Sequence, residues 1–219
     1  MNDIKFIFYS LKSRSLNSFL SIFLTAFGVS IALIVNQFGS HIQERISKDG
    51  EGIDIVVGAK GSPLQLILSS IYHIDIPTGN ISYETVKRFT NNPQVKTSIP
   101  LALGDNWRGY RIVGTTHDYI NHYNAKFDKG KTWDNEFEVV VGSAVDLELG
   151  DEIVGSHGLL EGGIVHQDEK YKVVGVLKQS NTVLDRLILT SIESVLMIHG
   201  HNETEVEDHK IEKVNDNSM

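Results

Sequence analysis

Nine histidines and no cysteine bound the chemistry open to this chain. Without thiols there are no disulfides, no thiolate metal sites and no cysteine nucleophile. His157, His166, His199 and His201 lie in the C-terminal half, and neutral imidazoles bind zinc or copper. His199-Gly200-His201 is a local pair. At i, i+2 on a helix end the two rings point apart unless the helix has stopped, and no thiolate or obvious carboxylate joins them. Structural or solvent-facing roles account for these histidines, with transient metal contact as the alternative. Gly58-Ala59-Lys60-Gly61-Ser62-Pro63 has the glycine and lysine of a phosphate loop but not the spacing G-x-x-x-x-G-K-[ST], so nucleotide binding is not expected. Val141-Gly142-Ser143-Ala144 reads as a strand end and a helix cap rather than a nucleophile. Asp185-Arg186 reads as a structural ion pair or a loop turn. The sequence has no H-E-x-x-H, G-x-S-x-G, G-x-G-x-x-G or kinase motif, and no carboxylate spacing picks out a catalytic pair. The expectation is a chain with no catalytic residues, no cofactor and no metal site.

What must position these residues begins with an uncharged run. Leu16 to Phe38 carries no formal charge, and thirteen of its 23 residues are Leu, Ile, Val or Phe. As a helix it would span roughly 34 Å, against a hydrocarbon core of roughly 30 Å. Ser18, Ser21, Thr25, Gly28 and Ala32 recur at spacings of three and four, so they share one face. Small residues on a membrane helix let a second helix approach closely, and they are candidates for a helix-packing face. Residues 1–15 form a short amphipathic segment with Ile4, Ile7, Phe8 and Leu11 on one side and Lys5, Lys12 and Arg14 nearby. That positive flank places the N-terminus in the cytoplasm and the rest of the chain outside it. Ala26-Phe27-Gly28 is a small-x-small cleavage pattern, but the apolar run continues ten residues past it, which argues against a signal peptide.

The remainder reads as one α+β domain. Residues 39–52 form a helical stalk ended by Gly50 and Gly52, and 53–200 the domain itself. Strands are expected at 53–57, 95–103, 110–114, 138–141, 153–156, 171–177 and 187–189. Helices are expected at 82–90, with Val86 and Phe89 buried, at 117–123, at 143–149, and from the capping box Thr190-Ser191-Ile192-Glu193 through His199. The order strand, helix, strand, strand suggests a split βαβ unit. Residues 124–135 and the glycine-rich 158–163 read as loops, and 201–219 as a disordered polar tail. A formal net charge of −8 argues against nucleic-acid binding.

Five stretches, in order, resemble the MacB/FtsX-like ABC transporter permeases. They are Ile53-Asp54-Ile55-Val56-Val57-Gly58-Ala59-Lys60-Gly61 after the stalk and Val113-Gly114-Thr115-Thr116-His117-Asp118-Tyr119. Val139-Val140-Val141-Gly142-Ser143-Ala144-Val145 with Leu149-Gly150-Asp151 comes next, then Tyr171-Lys172-Val173-Val174-Gly175-Val176-Leu177 and Leu184-Asp185-Arg186. The resemblance implies a periplasmic core domain, a porter-like α+β part with an inserted β-rich part. It implies an inner-membrane permease subunit that dimerises, binds a cytoplasmic ABC ATPase and transmits ATP hydrolysis to substrate export or to a periplasmic partner. Family members continue into three more membrane helices, so the expectation is a fragment of a longer permease. The alternative is a membrane-anchored periplasmic sensor or a metal- or ligand-binding module.

Overall fold

The computed structural model describes residues 3–157 and 170–198. The chain divides into two compact units, Met1–Ser47 and Lys48–Met219. The first holds α1 (Asp3–Ser13) and most of α2 (Ser15–Asp49). The break between the two helices falls among serines. The Ser13 hydroxyl donates to the Ser10 carbonyl at 2.9 Å and that of Ser18 to the Leu11 carbonyl at 3.2 Å, which are local bonds that compete with the helix ladder. The stretches expected as membrane span and stalk form one uninterrupted helix of 35 residues, about 52 Å long. None of its most apolar window is buried by the rest of the chain. Two hydroxyls in its apolar run are satisfied within the helix: Thr25 donates to the Ser21 carbonyl and Ser30 to that of Ala26, both at 2.8 Å. A water-free surround therefore costs these hydroxyls little.

The second unit is built on one mixed sheet. Its strands are β1 (Ala102–Trp107), β2 (Tyr110–Thr115), β3 (Phe127–Gly130), β4 (Glu138–Val141), β5 (Glu152–Ile153), β6 (Ser156–His157), β7 (Tyr171–Leu177) and β8 (Leu187–Ser191). The order is β3-β7-β4-β8-β2-β1-β6, with β5 also on β7. β2 runs parallel to β8, with Arg111 opposite Leu187, and β4 runs parallel to β7; the other pairs are antiparallel. The central strands are apolar on both sides, as expected where both faces are covered. Val113, Val140 and Leu189 pack in one core, and Ile112, Val139 and Ile188 in the other. Around the sheet lie α3 (Pro63–Ser70), α4 (Tyr83–Thr90), α5 (His117–His122), a 3₁₀ turn (Val183–Arg186) and α6 (192–198).

The α+β class and strands β2, β4, β7 and β8 stand as expected. Several local expectations do not. Residues 53–57 form no strand, so the split βαβ unit that needed it is not formed; Ile55 is 79% exposed. A β-prone run becomes a strand only where a sheet edge receives it, and here β3 and β6 take the end positions. Pairing in β1 starts after Pro100, which has no N–H to donate, so the strand is 102–107 rather than 95–103. The loop at 124–135 contains β3, and 153–156 divides into β5 and β6, which pair with different strands. Residues 143–149 are turns, not a helix. Their N–H groups go elsewhere: Ala144 N–H to the Asp185 carbonyl at 2.8 Å, and Glu148 N–H to the Asp151 carboxylate at 2.8 Å. Phe89 stays 40% exposed. The cap of α6 is Ser191, one residue later than the proposed box, with its oxygen accepting from the Ser194 N–H at 3.2 Å. Residues 158–163, His166, His199, His201 and 201–219 lie outside the described residues.

Candidate functional site

Asp49 is the last residue of α2, belongs to the second unit, and is only 4% exposed. A buried carboxylate must be paired. Its Oδ2 accepts from Nη2 of Arg186 at 3.2 Å, and the same nitrogen donates to the Tyr72 carbonyl at 3.1 Å. Arg186 ends the 3₁₀ turn that leads directly into β8. The Tyr123 hydroxyl donates to the Asp49 carbonyl at 2.6 Å, satisfying a carbonyl that the end of the helix leaves open. One step further, His122 Nε2 lies 2.9 Å from the Glu51 carbonyl. The last residue of a long helix is thus fastened to the central sheet and to α5 by side chains far away in sequence.

A second layer supports the first. His73 is 6% exposed, has a left-handed backbone (φ 53°), and places Nε2 2.8 Å from the Tyr119 hydroxyl. Tyr119 packs edge-to-face on Tyr123, ring centroids 5.5 Å apart. Burial, reinforced by the charges of Arg111 and Arg186, pushes His73 down to about 3, so its ring is neutral at physiological pH. Burial together with the Asp49 carboxylate pushes Tyr123 up to about 12. Burial likewise lowers Arg111 and raises Tyr119. Phenols and imidazole therefore stay neutral, and Asp49 and Arg186 form an ion pair at the joint.

The motif residues fall on this joint and its support. Tyr119 closes the Val113–Tyr119 motif, and Arg186 closes Leu184-Asp185-Arg186. Asp185 and Arg186 do not pair with each other. Asp185 organises its own loop, accepting from the Ser180 N–H at 2.8 Å, the Ser180 hydroxyl at 2.9 Å and the Asn181 N–H at 2.8 Å. Gly142 is no helix cap: a Cβ there would overlap the Leu184 carbonyl oxygen, so glycine lets β4 end against the turn that aims Arg186. Gly175 has a similar role in β7, where a Cβ would overlap the Lys131 carbonyl.

The remaining sequence candidates are dispersed. Ser62, in the phosphate-like loop, caps α3, with Pro63 as its first residue. His157 lies in β6, and no group of three possible metal ligands occurs among the described residues. Ser18, Ser21, Thr25, Gly28 and Ala32 share one side of α2 at 100° per residue, and a Cβ at Gly28 would meet nothing within 4 Å. The joint itself was missed in the sequence, since no local pattern links Asp49 to a residue 137 positions away. The signals present were an acid at the end of the stalk and the Leu184-Asp185-Arg186 stretch before a strand, with nothing in the sequence to join them.

A family model described as the MacB-like periplasmic core domain matches residues 18–210. The chain belongs to that family. Two solved structures resemble the fold. One is the extracellular domain of the noncanonic ABC-type transporter YknZ from Gram-positive bacteria, at 14% identity and TM-score 0.38, over 55% of this chain and 67% of that one. The other is the periplasmic region of MacB from Actinobacillus actinomycetemcomitans, at 12% identity and TM-score 0.40, over 64% of each chain. Among curated proteins none matches significantly. The MacB-like domain thus stands in a MacB/FtsX-like permease family, as the motifs implied, and α2 is one helix long and apolar enough to cross a membrane.

Proposed function

We propose that this chain supplies a membrane helix and the extracytoplasmic core of an ABC transporter permease, and that the Asp49–Arg186 joint passes movement of α2 into the sheet. The N-terminus with Lys5, Lys12 and Arg14 is cytoplasmic, α2 spans the inner membrane, and the second unit is periplasmic. A cytoplasmic ABC ATPase supplies the energy, a second permease copy packs on the Ser18–Ala32 face, and the domain acts on exported substrate or a periplasmic partner. The chain performs no catalysis itself. Family membership supports the permease assignment, and the buried ion pair carries the mechanical part. A helix that ended in a loose linker would lose its motion there. A helix end tied by a charge-assisted hydrogen bond to the start of a central strand carries motion into β8.

The test is purification of the tagged full chain from its native membrane. An ABC ATPase should copurify, and adding a non-hydrolysable ATP analogue should change hydrogen exchange at the β8 amides. Arg186→Leu should keep the ATPase bound and abolish that change. Recovery of the chain with no ATPase would overturn the permease reading. An undiminished β8 response in Arg186→Leu would overturn the joint's role alone.

A further inference from the structure

Residues 57–79 of the second unit form a closed surface loop whose polarity is inverted. Its two ends meet: the Thr78 hydroxyl donates to the Ala59 carbonyl at 2.9 Å, and a Cβ on Gly61 would overlap Thr78 Cγ2. Between the ends run α3 and a return segment, 71–77. The Gln65 side chain donates to the Ile76 carbonyl at 3.3 Å and the Ile74 N–H to that of Leu68 at 3.0 Å, which ties the two together. The side turned to the fold is polar. Ser69 and His73 are buried there, with His73 bonded to Tyr119 and the Tyr72 carbonyl to Arg186. The side turned to solvent is apolar. Leu64, Ile74 and Ile76 are 65%, 62% and 53% exposed, and Val57 and Ile67 are exposed as well. Leu64 and Ile67 lie one turn apart, so they share a side of α3. Aliphatic side chains held in water over buried serine and histidine gain nothing for the chain alone; covering them does.

Size and charge point to what covers this face. The five side chains leave on the order of 400 Å² of apolar surface open, as much as the largest patch on an ordinary monomer. A standard interface takes ~800 Å² from each side, an apolar core inside a polar rim, and this face is large enough for the core. Residues 61–74 hold no Asp, Glu, Lys or Arg, in a chain of formal net charge −8. Over most of its surface such a chain repels a copy of itself, whereas on this face no like charges are opposed. The run is bounded by Lys60 and Asp75, of opposite sign, so a two-fold axis through it turns Lys60 toward the partner's Asp75. We propose that the 57–79 loop is an isologous contact between the second units of two copies of this chain, with Leu64, Ile67, Ile74 and Ile76 as its core. This rests on the second copy proposed above and adds a contact outside α2. Arg186 and Tyr119 already fasten the loop, so pairing orders little.

The absence of native cysteine makes the test direct, because an introduced thiol reports its own position alone. In native membranes holding the full chain, a short bismaleimide should join Leu64→Cys, and separately Ile74→Cys, into a covalent dimer, since a two-fold contact brings each residue near its own copy. Asp128→Cys, exposed on β3, should stay monomeric. Adding Leu64→Glu to Ile74→Cys should cut the dimer about tenfold, as buried like charges oppose each other, and leave the urea midpoint in detergent unchanged. A benzophenone carried on Leu64→Cys should label a second copy of the chain. Label found only on lipid or on another protein, dimer yields no higher than for Asp128→Cys, or yields undiminished by Leu64→Glu would each overturn the loop contact. With differently tagged copies still copurifying, the second copy proposed above would stand; copies that never copurify would overturn both.

Discussion

Gly28 and Asp49 lie on the same helix and answer opposite physical demands. Around Gly28 the small side of α2 touches nothing, and the opposite side carries a ladder of Phe19, Phe23 and Phe27, stacked at 6.3 and 6.2 Å. Such a surface costs nothing when bare and gains only when a second helix arrives. Asp49 is buried with its charge, and Arg186 helps to offset the cost of that burial. In the proposed assembly the first region gains from a second helix, whereas the second already holds a partner within the fold. Substitutions in the two regions should therefore differ in kind, the joint through folding stability and the small face through assembly.

The largest expected effect is acid sensitivity from the joint's supporting layer. Burial lowers the pKa of folded His73 to about 3, whereas the unfolded ring titrates near the ordinary imidazole value of about 6.5. Below that value the unfolded chain takes up a proton that the native state refuses. Stability is complete above it and is lost as pH falls toward 3. Between pH 7 and pH 4 the loss from this one group is on the order of 3 kcal/mol. Urea melts of the full chain in detergent should show this slope, and His73→Gln should remove that part of it. An unchanged slope would show that His73 is not the group that titrates.

Arg186→Ala follows, at about 2–3 kcal/mol. It leaves the Asp49 carboxylate buried, but the Arg186 side chain is 39% exposed, which puts the cost below that of a fully enclosed pair. The double variant Asp49→Asn/Arg186→Ala should recover part of the loss in the same melts. A double variant no more stable than Arg186→Ala would show that the arginine acts through the Tyr72 carbonyl. Gly142→Ala should cost about 1–3 kcal/mol, because the added methyl meets the Leu184 and Asp185 backbone, which cannot turn aside as a side chain could. A thermal midpoint equal to that of the unaltered chain would remove the close approach as the reason for glycine there.

How much of this was legible follows from the range of each interaction. Strands β4 and β7 were read to the residue because Val139-Val140-Val141 is a continuous buried run and Tyr171–Leu177 alternates buried with more exposed residues, two patterns that leave little choice. The uncharged run of α2 was equally plain. Residues 53–57 have the same composition as a strand and become none, since composition carries no information about vacant edges. Strand β3, with Asp128 and Lys129 exposed, looks like loop because an edge strand needs no apolar face. Asp185-Arg186 stood out as a unit, yet one residue holds a local loop and the other crosses 137 positions to Asp49. Local capping and turn bonds can be read from neighbours, whereas a long-range ion pair needs the fold.

Gly28→Leu should have the smallest effect on the isolated chain and a large one on its assembly. The new side chain starts in open space, loses no hydrogen bond and adds apolar surface to a helix already long enough to span. Carbonate resistance should therefore be unchanged, and the urea stability of the second unit should stay within about 0.5 kcal/mol of the parent. A helix packed against the small face would be pushed away by four added carbons, so copurification of a second, differently tagged copy should drop severalfold. Placing the same leucine at Phe23, on the ladder side, should leave copurification unchanged and serves as the control. If Gly28→Leu copurifies as the parent does, the Ser18–Ala32 side is a lipid-facing surface. The contrast with Asp49 would then be between a residue that needs a partner and one that needs none.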